Sequence, residues 1–149
     1  MFRIETILTM KGLVIEQIAP IITRRLRQEV LYPGQPFDSV VLEEDDSGTH
    51  FGMYQEQALI AVVSLFLREQ DAQFRKFAID KAYQRQGYGS KLLRYITDYA
   101  LHKGMHILWC HARITAVAFY QKNGFVKIGL PFMKGNISYV RMERNIKSK

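Results

Sequence analysis

Apolar residues recur along this chain in two rhythms. Near the start, Ile15, Ile18, Ile22, Leu26 and Val30 fall at roughly helical spacing, with polar residues elsewhere on the wheel. This predicts an amphipathic helix over residues 15–31, broken at Pro20. Residues 1–10 read as a first strand or a frayed start. Pro33-Gly34 and Pro36 force a loop, and Asp45-Asp46-Ser47-Gly48 marks a turn. The rhythm then changes. Residues 49–54 and 58–67 are rich in β-formers and joined by Gln55-Glu56-Gln57, which reads as a hairpin, and residues 72–80 form a further strand.

A polar, glycine-containing loop over 83–90 leads into a second helix. It carries Leu92, Leu93, Ile96, Tyr99 and Ala100 on one face and ends at Gly104. Residues 106–111 form a short apolar strand, as expected for one buried on both faces. Thr115 can N-cap a helix running to Lys122, ended by Asn123-Gly124. Residues 125–129 and 137–142 are the last strands, with Pro131 and Gly135 in the loop between them. The order of elements predicts an α/β (α+β) fold over residues 1–149, one domain with helices covering a mixed sheet.

Composition narrows the function. Of 149 residues, 48% are hydrophobic, enough for one core and too many for a disordered chain. No apolar run approaches the ~20 residues of a membrane span, and Arg3, Glu5 and Lys11 interrupt the N-terminus. A cytoplasmic protein is expected. The single cysteine, Cys110, excludes an internal disulfide and a multi-cysteine zinc site, and no metal is expected. In its apolar run Cys110 reads as a small buried hydrophobe; as a nucleophile it would need a base, and on a strand His111 points the other way. The net charge of +7 favours anionic partners, but it is scattered, which argues against nucleic acid.

The chemistry gathers in Gln84-Arg85-Gln86-Gly87-Tyr88-Gly89-Ser90, between a strand and a helix. A glycine turn lets the backbone approach a ligand, and the helix start offers unpaired N–H groups and a positive dipole end. Together they suit a phosphate. A dinucleotide fingerprint needs a third glycine where Leu92 stands, and the P-loop pattern is absent.

About thirty residues later comes Ala116-Val117-Ala118-Phe119-Tyr120-Gln121-Lys122-Asn123-Gly124-Phe125. The pair of segments resembles the GNAT superfamily of acyl-CoA-dependent N-acetyltransferases. Gln84, Gly87 and Gly89 meet its first motif, and Ala116, Tyr120, Gly124 and Phe125 meet its second. The resemblance covers roughly residues 57–142. It implies a mixed, mostly antiparallel sheet with helices on both faces, splayed between the fourth and fifth strands. It also implies acetyl-CoA as co-substrate. Its pantetheine arm would pair with the backbone of Phe77, Ala78 and Ile79, and its pyrophosphate would rest on the amides from Arg85 to Ser90. Lys122 could reach the phosphates, and the Phe77 N–H would polarise the thioester carbonyl. The amine attacks the thioester directly, and by resemblance Tyr120 is the acid that protonates the leaving thiolate.

The chain departs from the pattern in two places. The position of the family's strand glutamate is Gln73, which cannot act as a base. Asp71, Asp80, His50 and His111 are substitutes, and a water relay is the default. Arg113 stands where many members have an asparagine touching the cofactor, and its charge suits a phosphate or a salt bridge. The amine acceptor stays unidentified; by resemblance it would be recognised by residues 15–37 and 130–139. A homodimer is compatible with the resemblance but demanded by no residue. Two rival readings stay open: a CoA-binding module of this fold without catalysis, and a small basic nucleic-acid-binding domain.

Overall fold

The computed structural model of the protein describes residues 12–147. Seven strands form one sheet: β1 (Leu13–Ile18), β2 (Thr49–Gln55), β3 (Ala58–Arg68), β4 (Asp71–Ile79), β5 (Ile107–Arg113), β6 (Val126–Lys134) and β7 (Ile137–Asn145). Their order is β1-β2-β3-β4-β5-β7-β6. Every neighbouring pair is antiparallel except β4 and β5, which are parallel. The helices are α1 (Arg24–Leu26), set in a longer helical run, α2 (Tyr88–His102) and α3 (Val117–Lys122). The expected mixed, mostly antiparallel fold is therefore present.

Strand alternation sends side chains to both faces of the sheet. Ala61 and Val63 of β3 join the large core under α2, built on Leu92, Leu93 and Ile96. Val62, between them, turns to the opposite face and packs with Leu26 of α1 and Ala78 of β4. Helices thus cover both faces. On α2 the buried stripe is the one its periodicity predicts, with Arg94 and Asp98 exposed.

Four expectations need correction. The helix predicted over residues 15–31 begins only at Pro20; the preceding residues are β1, paired with β2 from Leu13↔Gln55 to Ile18↔His50. Short apolar runs fit either period, and here a partner strand decided. Second, β5 is buried on one face only: Leu108, Cys110 and Ala112 are buried while His111 is exposed. Third, Thr115 does not cap α3, which follows a 3-10 turn at Ile114–Ala116 without a side-chain cap. Fourth, Pro131 lies within β6 rather than in a loop. The strand tolerates it because β6 is at the sheet edge and its register with β7 shifts between Ile128 and Phe132. The strand expected over residues 1–10 lies outside the described residues.

A buried polar network ties the helical run to the sheet. Arg27 is wholly buried and forms a two-pronged salt bridge with Asp45, Nη1 to Oδ2 and Nη2 to Oδ1, both at 2.9 Å. It also donates to the Val40 carbonyl at 2.9 Å and to Ser64 Oγ at 2.8 Å. His50 bridges Ser64 Oγ at 2.7 Å and the Asp45 carbonyl at 2.8 Å. Burial opposes the Asp45 charge, but the Arg27 hydrogen bonds, the Leu42 N–H and the charges of Arg27 and His50 outweigh it and hold the carboxyl below its usual 3.8. Asp45 therefore contributes stability that is complete above about 3.8 and is lost as pH falls through its lower folded value. Asp45→Ala leaves the Arg27 charge buried without its partner and should cost about 3–5 kcal/mol in urea unfolding at pH 7. A loss below about 1 kcal/mol, the range of exposed pairs, would show that the network carries little of the fold.

Candidate active site

Strands β4 and β5 pair only at their starts, Asp71↔Ile107, Ala72↔Leu108 and Gln73↔Trp109. Beyond that point each strand stays with its other neighbour. β4 follows β3 as far as Ile79↔Ala61, and β5 follows β7 as far as Arg113↔Tyr139. The sheet therefore opens between them.

A bulge in β4 accompanies the opening. Register with β3 shifts between Val62↔Ala78 and Ser64↔Arg75, and Lys76 takes a left-handed φ of 56°. One extra residue reverses which side chains face which way. Before it, Ala72 and Phe74 face the α2 core; after it, Phe77 and Ile79 do, and Ala78 turns to the α1 side. Phe77, expected to offer its N–H, thus stands at the bulge, out of the regular β3–β4 register.

The opening is a cleft of about 420 Å³. Phe74, Lys76 and Phe77 line it from β4, Cys110, His111 and Arg113 from β5, and Tyr120 from α3. Lys134, Ile137 and Tyr139 of the β6–β7 hairpin, with Leu31 and Tyr32, close its far side.

Tyr120 is fixed by aromatic packing. Its ring lies 5.1 Å from Phe119, 5.7 Å from Phe74 and Phe125, and 6.4 Å from Phe77. Burial, and then neighbouring Cys110, push its hydroxyl well above the usual 10, so it keeps its proton at neutral pH. Burial also pushes the Cys110 thiol up to about 12, which makes it a poor nucleophile and fits the small-hydrophobe reading.

The loop after β4 is folded by its own side chains. Gln84 Nε2 donates to the Ile79 carbonyl at 2.9 Å, Gln86 Nε2 donates to the Ala82 carbonyl at 3.0 Å, and Asp80 Oδ1 accepts from the Ala82 N–H at 3.0 Å. Arg85 and Gly87 are left-handed, at φ 63° and 88°. Gly87 precedes α2 with no side-chain cap and no acidic residue in the first turn. The first amides of α2, from Tyr88 to Ser90, are thus left to an external acceptor. A Cβ on Gly89 would come 3.2 Å from Phe119, so this glycine lets α2 and α3 meet. A second depression runs from Gly87, Ser90 and Lys91 to Lys122 and Arg144, and no residue lines both it and the cleft.

Six of the sequence-predicted residues fall into two groups, while Ala78, Ile79, Gln84, Arg85, Gln86, Tyr88 and Gly89 line neither depression. Phe77, Arg113 and Tyr120 share the cleft; Gly87, Ser90 and Lys122 share the groove at the start of α2. Arg113 donates to the Leu31 carbonyl at 2.7 Å and has no salt bridge with a described residue. Among the candidate bases, His50 is held in the buried network, Asp80 caps the turn after β4, and Asp71 pairs at the start of β4. Only His111 lines the cleft. Partial burial, and then the charges of Arg141, Lys134 and Arg75, push its imidazole below the usual 6.5. Lys76 was not singled out, whereas Tyr32, Lys134 and Tyr139 lie in the segments 15–37 and 130–139 that the resemblance implies for acceptor recognition. The three-residue step from Phe74 to Phe77, where strict alternation gives two, was the sequence sign of the bulge that carries Lys76.

Residues 24–146 match the family described as Acetyltransferase (GNAT) domain. The chain belongs to the GNAT acetyltransferase family. Among solved structures it resembles an N-acetyltransferase assigned from Lactobacillus plantarum, at 23% identity and a TM-score of 0.83, covering 91% of this chain and 99% of that one. It also resembles the ribosomal-protein-S18-alanine N-acetyltransferase of Escherichia coli, at 20% identity and a TM-score of 0.75, covering 92% and 96%. A third is a GNAT family acetyltransferase from Elizabethkingia anophelis with acetyl-CoA bound, at 15% identity and a TM-score of 0.71, covering 91% and 99%. At these identities the likeness is one of fold. A sequence comparison with curated proteins finds no match. The family makes this GNAT protein an acyltransferase. Among its described residues no helix is long and apolar enough to cross a membrane, and no cluster of His, Cys, Asp or Glu could hold a metal ion.

Proposed function

We propose that this chain transfers acetyl from acetyl-CoA to a primary amine within the β4–β5 cleft. The opening that Tyr120 lines, with the uncapped start of α2 beside it, is the observation that carries this reading. The amides from Arg85 to Ser90 hold the pyrophosphate, aided by Lys122 at the edge of the same groove. The pantetheine arm follows the backbone from Phe77 to Ile79, and the Phe77 N–H supports the thioester oxygen. The amine nitrogen attacks the carbonyl carbon, a C–N bond forms and the C–S bond breaks. The thiolate takes the Tyr120 proton. His111 is the base: held below its usual pKa, it is neutral at pH 7 and takes the proton the amine sheds, directly or through a water. Bulk solvent then returns a proton to Tyr120.

Tyr120→Phe keeps the aromatic packing and removes only the hydroxyl. It should lower kcat about a hundredfold or more with CoA affinity unchanged, measured by thiol release and calorimetry. Unchanged kcat would remove Tyr120 as the acid and favour solvent as the proton source.

The pH profile tests the base. A depressed imidazole pKa means that the base form prevails above the folded pKa and is lost as pH falls through it. For a given amine, kcat/KM should show an acid limb with an apparent pKa below 6.5, and His111→Asn should abolish that limb. A limb at or above 6.5 that survives the substitution belongs to another group.

Gly87 separates backbone strain from charge. A Cβ there meets nothing within 4 Å, though its φ of 88° strains any other residue. Gly87→Ala should bind CoA at most about thirtyfold more weakly, the limit set by a strain of about 1–2 kcal/mol. Gly87→Asp, whose carboxylate faces the pyrophosphate, should lose roughly a hundredfold or more. Equal affinities in calorimetry would move the phosphate site elsewhere.

A further inference from the structure

The wall of the cleft is charged in one sense only. Arg75, Lys76, Arg113 and Lys134 line it, together with His111, and no aspartate or glutamate does. The nearby carboxylates are engaged outside it: Glu44 with Arg75 at 3.2 Å, and Glu143 with Arg141 at 2.6 Å. Lys76, Arg113 and Lys134 form no salt bridge with any described residue; Lys76 Nζ donates to the Tyr32 hydroxyl, and Arg113 to the Leu31 carbonyl. The cations are close enough to act on one another. Burial, and then Arg75, Arg27, Lys134 and Arg113, lower the Lys76 ammonium to about 8. Gathering like charges, three of the four without a counter-ion among the described residues, is unfavourable unless something of opposite sign binds among them.

That opposite charge does not come from the CoA phosphates in the reading above, because they lie at the start of α2. The two depressions share no lining residue, and the groove has its own cations in Lys91, Lys122 and Arg144. Lys134, just before the β6–β7 turn, stands across the cleft from the thioester-binding strand. The same far wall is flat and aromatic, with Phe132 and Tyr139 stacked at 5.9 Å and His111 edge-on to Phe132 at 4.9 Å.

We infer that the acceptor is a small amine that also bears an anionic group, a carboxylate or a phosphate, held among Lys76, Arg113 and Lys134 while its amine faces the Phe77–Tyr120 end. Polyamines and other purely cationic amines are excluded by the same charges. This rests on the acetyl-transfer reading and adds the acceptor class to it.

Paired acceptors test the inference, each pair sharing an amine and differing in the acid. Phenylalanine against phenethylamine probes the carboxylate; glucosamine 6-phosphate against glucosamine probes the phosphate; spermidine is the cationic control. Each is titrated into the CoA-saturated protein by calorimetry and assayed for thiol release with acetyl-CoA. The acid-bearing member of at least one pair should bind at least tenfold more tightly than its counterpart, and which pair responds identifies the acid. Lys134→Glu, an exposed hairpin position, should erase that preference by a factor on the order of ten and leave acetyl-CoA affinity unchanged. Equal or tighter binding of the uncharged amines or of spermidine overturns the inference, as does a CoA-loaded protein that binds none of the five. The acetyl-transfer reading is tested separately in the same experiment: it fails if acetyl-CoA does not bind, or if it binds and no amine that binds gives thiol release, whichever acid is preferred.

Discussion

The site depends on where β4 and β5 stop pairing. Three residue pairs join them, and the Gln70 carbonyl extends the contact by accepting from the His106 N–H at 2.7 Å. Past Gln73 and Trp109 each strand is held only by its outer neighbour, so the sheet behaves as two sheets hinged along one short seam. Unpaired backbone is costly when buried, so the strand edges that face the gap need water or a ligand as partner. The aromatic rings of Phe74, Phe77, Tyr120 and Phe125 fill its floor. They hold the strands apart and prevent collapse, and the same packing orients the Tyr120 hydroxyl. The bulge at Lys76 belongs to this constraint too, since it bends β4 and turns backbone out of the β3 ladder.

The α1 face needs a second device, because its core is thin. Leu26, Val62 and Ala78 form the buried cluster there, far smaller than the one under α2. The Arg27–Asp45–Ser64–His50 network fixes the helical run and the following loop against β2 and β3 where apolar area is short. A buried ion pair contributes little beyond an apolar replacement. Its value here is directional, since a two-pronged guanidinium–carboxylate contact allows one geometry. That geometry carries Leu31 and Tyr32 to the edge of the cleft, where Arg113 and Lys76 reach them.

Much of this was legible in the chain. The period of α2, the hairpin of β2 and β3 and the turn at Asn123-Gly124 follow from local rules, and so does the glycine turn at Gly87 that leads into α2. What was not legible depends on partners distant in sequence. Residues 13–18 fit a helix until β2 is beside them, and Pro131 reads as a breaker until β6 is known to be an edge. That Lys76, Arg113 and Lys134 meet in one wall was not legible for the same reason: Arg113 was singled out and Lys134 lies in the acceptor segment, but they and Lys76 come from three strands, among 21 scattered basic residues. Tyr120 was legible by its motif, its raised pKa only by its burial.

The charges of the cleft and the chemistry at its floor are coupled. Lys134, one of the cations of the proposed acceptor site, also acts on His111: burial first, and then the charges of Arg141, Lys134 and Arg75, oppose its protonation. In the proposed mechanism Lys134 therefore serves both the attraction for an acid and the low pKa of the base. An anion bound among Lys76, Arg113 and Lys134 would partly cancel that field, which favours the imidazolium and so strengthens His111 as a proton acceptor while the amine is in place. Tyr120, among aromatic rings, has burial as the leading cause of its high pKa and keeps its proton at neutral pH. The proposed base and acid are thus set by different means within one cleft, so a substitution that weakens the field should act on His111 and leave the Tyr120 hydroxyl unchanged.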